Sequence, residues 1–146
     1  MAVSYRELIV WQKAMKLAEA AYAVARGLPE TERYGLSAQI RRSAVSIPSN
    51  IAEGHERRSR ADYHRFINIA CGSVAELETQ LDLACRLHRM DRSLIDDAVG
   101  LADEVGRLLR SIGRSLRNGV AENTATYGPE AGSALHSQPS ALSPQP

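Results

Sequence analysis

The chain of 146 residues has few cysteines and no long apolar run, and each shortage removes a class of protein. Its two cysteines, Cys71 and Cys85, lie 14 residues apart in a stretch that reads as one helix. At 1.5 Å per residue that spacing is about 21 Å, too far for a disulfide. A disulfide-stapled scaffold is therefore excluded. No stretch reaches the ~18 consecutive apolar residues that a membrane span needs, and the N-terminus lacks a basic region followed by an apolar core. The expectation is a soluble protein in a reducing, cytoplasmic setting, with no membrane partner. Catalytic signatures are missing as well. There is no Gly-rich phosphate loop, nucleophile elbow or zinc-binding cysteine cluster. Bundle di-metal sites need Glu three residues before His, but the residues three before His55, His64, His88 and His136 are Ala52, Ala61, Cys85 and Ser133. Cys85 and His88 share a helix face without further ligands near them. The chain is thus expected to be non-enzymatic, with no metal and no cofactor. Glu53 and Glu76 are the sole acid–base candidates, and a hydrogen-bonded structural pair explains them better.

An excess of one charge is also missing: the formal net charge is +1. All 18 basic residues fall within residues 1–118, where 15 acidic residues leave +3, and the remainder carries only Glu122 and Glu130. Sixteen of the 18 are arginine, the better bidentate partner for phosphate or carboxylate. They cluster as Arg57, Arg58, Arg60 and Arg65, with Arg41 and Arg42 nearby in sequence. These six are the candidate nucleic-acid contacts, although Glu56 and Asp62 among them also fit a solvated, partly paired turn.

What the sequence has in abundance is helical periodicity. Ser4 and Glu7 have the spacing of a capping box and predict a helix start. Beyond it run two apolar seams: Leu8, Trp11, Met15, Ala18, Tyr22 and Ala25, and beside them Val10, Ala14, Leu17, Ala21, Val24 and Leu28. Together they cover about 200° of the helix, roughly twice what packing in one small bundle requires. The excess predicts an interface with another copy, assigned here to Val10, Leu17, Ala21 and Val24. Gly27-Leu28-Pro29 ends this helix, and Ser37 is placed to cap the next.

The second helix contains Pro48, which predicts a kink near Ser46. Leu36, Ile40, Ala44, Ile47 and Ile51 form its core stripe, and directly beside them run Gln39, Ser43, Ser46, Asn50, Glu53 and Arg57 at spacings of 4, 3, 4, 3 and 4. Polar groups this close to a core need partners on a neighbouring helix or a ligand, because an unpaired buried one costs about 1 to 3 kcal/mol. Ser59 to Asp62 opens a third helix whose heptad seam runs Tyr63, Ile67, Ala70, Val74, Leu77, Leu81, Ala84, His88. Ile69, Ser73, Glu76 and Gln80 flank it, while Gly72 and Ser73 suggest close approach by a neighbour. The predicted polar network is Gln39, Ser46, Asn50, Glu53, Ser73, Glu76 and Gln80, with Arg41 or Arg42 neutralising the glutamates. Ser93 opens the last helix, buried through Ile95, Ala98, Ala102, Val105, Leu109, Ile112 and Leu116. Arg110, Arg114 and Arg117 suit the negative end of its dipole. Residues 1–118 thus form an all-α, antiparallel up-down-up-down four-helix bundle. Residues 119–146, rich in Gly, Pro and Ser, are expected to be a disordered tail.

Two motifs in order, QIRRSAVSIPSNIAEG (Gln39 to Gly54) and RFINIACGSVAELETQL (Arg65 to Leu81), resemble the four-helix bundle proteins called 23S rRNA-intervening sequence proteins. YRELIVWQKAMKLA (Tyr5 to Ala18) and ERYGL (Glu32 to Leu36) agree, and the likeness covers about residues 5 to 117. The motif falls on Gln39, Arg41, Arg42, Ser46, Pro48, Asn50, Glu53, Gly54, Ser73, Glu76 and Glu78. The resemblance implies a small bacterial helical protein assembled as a ring, typically a homopentamer. Distant relatives are accessory proteins of diversity-generating retroelements, which bind a reverse transcriptase and nucleic acid. The function expected is a homo-oligomeric binding or scaffolding module whose partners are RNA, DNA or a nucleic-acid enzyme. The alternative is an oligomeric protein-interaction scaffold with no nucleic-acid role.

Overall fold

The computed structural model describes residues 3–136, with side chains to Gly119. A 3-10 turn at Tyr5–Glu7 leads into α1 (Ile9–Gly27), a second 3-10 turn at Glu30–Glu32 leads into α2 (Leu36–Glu56), and α3 (Arg60–Leu87) and α4 (Arg92–His136) complete the chain. Among the described residues there is no strand. Each helix packs on its neighbour in sequence, and α1 also packs on α4. The short connections make neighbours antiparallel, so the four helices close a bundle around one core. No described helix is long and apolar enough to cross a membrane.

The heptad seams build that core. Ile40, Ala44, Ile47 and Ile51 of α2, and Ile67, Ala70, Val74, Leu77, Leu81 and Ala84 of α3, are all buried. From α4 come Ile95, Ala98, Ala102, Val105, Leu109 and Leu116. The assignment on α1 has to be reversed. Val10, Leu17, Ala21 and Val24, expected at a contact between copies, are 0 to 3% exposed within the single chain. They belong to the core. Both seams are apolar, but the one with Ala14 and Ala21 lets the helix approach its neighbours closely, and burying it fills the bundle. The seam left half in water is Leu8, Trp11, Ala18 and Tyr22, with Met15 40% exposed.

Several helix ends differ from expectation for local reasons. The Ser4–Glu7 capping box forms, but it closes only the 3-10 turn; Leu8 is extended, its side chain packs on the core, and α1 begins after it. Ser37 does not cap α2. It is buried and donates to the Ala25 carbonyl at 3.3 Å, while the Glu32 carboxylate accepts from the Leu36 N–H at 2.9 Å. A carboxylate suits that helix start better than a hydroxyl, since it also complements the dipole. Ser59 caps α3 by accepting from Asp62 N–H at 3.1 Å. At α4, Asp91 rather than Ser93 supplies the capping oxygen, 2.8 Å from Ser93 N–H.

Helix α2 runs through Pro48, which is buried. One turn of backbone is reinforced there by Asn50, whose amide donates to the Ser46 carbonyl at 2.7 Å. Helix α4 continues to His136, so residues 119–136 are helical where a disordered tail was expected; residues 137–146 of that tail lie outside the described residues. Extending an existing helix adds one hydrogen bond per residue fixed without a new nucleation step. Arg110 to Arg117 consequently stand mid-helix, where the dipole does not account for them.

Candidate functional site

The polar seam beside the α2 core stripe finds partners on α3. Ser43 Oγ donates to Gln80 Oε1 at 2.9 Å. Ser46 Oγ and Ser73 Oγ stand 2.8 Å apart, and Ser73 Oγ also donates to the Ile69 carbonyl at 3.2 Å. Because a hydroxyl has one proton, Ser46 must be the donor to Ser73. Asn50 Nδ2 donates in turn to Ser46 Oγ at 3.0 Å. The result is a one-way donor chain from Asn50 through Ser46 and Ser73 to the α3 backbone.

The glutamates stand apart from it. Glu53 is exposed and pairs with Arg57, one turn on, at 2.8 Å. Glu76 and Gln39 are exposed on the rim of an α2/α3 groove of about 500 Å³ that also contains Gln80. With both carboxylates exposed to water, neither is a buried charge that needs Arg41 or Arg42 to neutralise it. Arg41 instead donates to the Arg33 carbonyl at 3.3 Å, and Arg42 is exposed. Gly72, expected at a close contact, has open space around its Cα; Ser73 is the buried one.

Close approach occurs one turn beyond Asn50. A Cβ on Gly54 would lie 2.6 Å from Phe66 Cβ and 3.0 Å from Tyr63 Cδ2. Only glycine lets the end of α2 meet the start of α3. Phe66, so held, lies under two guanidinium groups, Arg57 at 5.0 Å and Arg65 at 4.7 Å from its ring centre. Arg65 also pairs with Asp62 at 3.8 Å. Burial pushes the Tyr63 hydroxyl above its ordinary pKa. Of the six arginines proposed from sequence, Arg57 and Arg65 therefore have acidic and aromatic partners, and Arg41 has a backbone acceptor. Arg42 and Arg58 are exposed, and Arg60 lies across Gly119.

A second basic site was not anticipated. Between α3 and α4 lies a groove of about 300 Å³ lined by His64, Asn68 and Cys71 on one side and Arg110, Arg114 and Arg117 on the other. Among the described residues, none of these three arginines is in an ion pair. Arg110 folds back so that its Nη1 is 3.2 Å from where a Gly106 Cβ would be. Burial raises the Cys71 thiol, and the Arg110 charge beside it pulls partly the other way. The signal in the sequence was negative: Arg110, Arg114 and Arg117 have no Asp or Glu three or four residues away in either direction. Arg57, Arg65, Arg92 and Arg107 each do, and each uses it.

Comparison with curated proteins finds no match. Among solved structures, the chain is similar to a protein of unknown function from the S23 ribosomal protein family of Bacteroides thetaiotaomicron VPI-5482. The two are 31% identical, with a TM-score of 0.66 over 72% of this chain and 98% of that one. The model of the 23S rRNA-intervening sequence protein family matches residues 6–111, which include the whole α2/α3 seam. With the bundle, the motifs and this match in agreement, the chain belongs to the 23S rRNA-intervening sequence protein family.

Proposed function

We propose that this protein is a non-enzymatic helical-bundle module that assembles with copies of itself and binds nucleic acid, or an enzyme working on it. The observation that carries the assembly is the unburied apolar seam of α1. Tyr5, Trp11, Met15 and Ala18 join Val45 and Pro48 of α2 along a groove of about 390 Å³, and Met15, Ala18 and Tyr22 continue it. A second apolar strip, Leu36, Ala75 and Leu83, lines the α2/α3 groove on a different side. Two unlike faces on one molecule suit a head-to-tail contact, which closes into a ring when the rotation permits. Five copies is the number the family resemblance implies.

Multi-angle light scattering tests this reading at micromolar concentration. The wild type is expected to be oligomeric, with Met15→Glu reducing it to folded monomers; a wild-type monomer overturns the proposal. Leu17→Glu is expected to unfold the chain instead, because a lone buried carboxylate costs about 3 to 5 kcal/mol. The net charge of +1 favours a second reading, a protein-interaction scaffold without a nucleic-acid role. Binding driven by phosphate contacts falls steeply with salt, so undetectable RNA and DNA binding at low salt selects this second reading.

A further inference from the structure

We propose that the α3/α4 groove is the phosphate-binding site of this module and takes the backbone of a single polynucleotide strand; the inference rests on the nucleic-acid reading above. The groove joins three properties. It is concave, with a volume of about 300 Å³, and no carboxylate lines it. Its three arginines follow one another at spacings of 4 and 3, on one face of α4, and are exposed. Like charges so placed repel by a few tenths of a kcal/mol per pair, a cost that a bound anion would offset.

The row from Arg110 to Arg117 is about 10.5 Å long at 1.5 Å per residue. A stacked strand places a phosphate about every 3.4 Å, so about three or four fall along the row, enough to give each arginine one. The guanidinium fork suits them because it donates two parallel N–H groups to a pair of phosphate oxygens. His64 and Asn68 add donors from the opposite wall. Arg60, one turn before His64 on α3, reaches across to Gly119, two residues past Arg117, and prolongs the basic strip. Antiparallel helices packed roughly 8 to 10 Å apart leave a cleft for one backbone, not for a duplex.

Another arginine-bearing cavity shows what self-neutralisation looks like. About 400 Å³ in volume, it holds Arg26, Arg33 and Arg41, but also Glu30, which pairs with Arg33 at 3.5 Å. The α3/α4 groove holds no such internal anion.

The test is fluorescence anisotropy of a short labelled oligouridylate with the full chain, titrated from about 50 to about 200 mM salt. Three phosphate contacts predict a log–log slope of about −2, at about 0.7 per contact on a single strand. Arg114→Gln with Arg117→Gln should bring the slope to about −0.7 and weaken low-salt binding on the order of tenfold. Arg114→Lys should keep the slope, and Arg92→Gln, at an exposed arginine paired with Asp96 and outside the groove, should leave both quantities unchanged. Circular dichroism melts of each variant check that these exposed positions tolerate the changes, with melting temperatures near that of the wild type expected. Wild-type binding that the groove variant leaves intact overturns the groove while the nucleic-acid reading stands. No wild-type binding at low salt overturns that reading and the groove with it.

Discussion

The two seams that flank α3 hold comparable numbers of polar side chains, yet those side chains meet different fates. Against α2, Ser43 and Ser46 meet Gln80 and Ser73 within hydrogen-bond distance, Asn50 bonds back to Ser46, and Gly54 removes the last obstacle to contact. Against α4, three arginines line a groove without an ion-pair partner among the described residues. The first arrangement satisfies itself, so its polarity is explained by stability. The second does not, and its polarity calls for something outside the chain. Polar residues near a core are thus sorted by whether the fold completes their bonding.

The contrast is broken most severely at Gly54. Gly54→Ala should lower stability by about 1 to 3 kcal/mol in a urea melt, because the new Cβ meets Phe66 Cβ, which cannot swing away. If the variant is as stable as wild type, helix propensity has outweighed the clash and the α2/α3 seam is looser than described. Next in size, Ser73→Ala should cost about 1 kcal/mol by orphaning the Ser46 hydroxyl. The Ser46→Ala, Ser73→Ala double-mutant cycle then measures their coupling directly. Additivity of the two single changes would show that the donor chain contributes nothing as a unit.

The smallest effect sharpens the other side of the comparison. Burial holds the Cys71 pKa above that of an ordinary thiol, so less thiolate is present at neutral pH and iodoacetamide should label exposed Cys85 first. Labelling of Cys71 should rise with pH by about tenfold per unit until its raised pKa is passed. Arg110→Gln removes the one influence lowering that pKa, so Cys71 labelling at neutral pH should become slower still. An unchanged or faster rate would place the Arg110 charge elsewhere than in the groove.

Much of the bundle was legible in the sequence because apolar spacing encodes it directly. Ile40 to Ile51 and Ile67 to Ala84 are buried as their rhythm requires. Periodicity could not say which of two apolar seams on α1 faces inward, since that depends on the shape of the space left by three other helices. It also hid the role of Glu32, whose carboxylate reaches forward four residues to the start of α2. At the site, spacing identified Ser46, Ser73, Ser43 and Gln80 as a seam, but placing Glu53 and Glu76 in it assumed a burial that both side chains lack, and exposure is not reported by spacing. The arginines of α4 were visible but read as a helix end, because the groove opposite them is made by a different helix.

The one-way donor chain from Asn50 to the Ile69 carbonyl has a consequence for alignment. Apolar seams repeating every three or four residues are nearly degenerate: sliding α2 along α3 by one heptad would still set apolar against apolar. The two hydrogen bonds that cross from α2 to α3, Ser43 to Gln80 at 2.9 Å and Ser46 to Ser73 at 2.8 Å, have no such tolerance, and a shift of even one residue breaks both. Four polar groups can therefore act as a vernier, choosing one sliding position among several of similar packing energy. The grooves on either side of α3 are shaped by where its neighbours stop along it, so the outline offered to other molecules is set from inside, by residues that need not touch them.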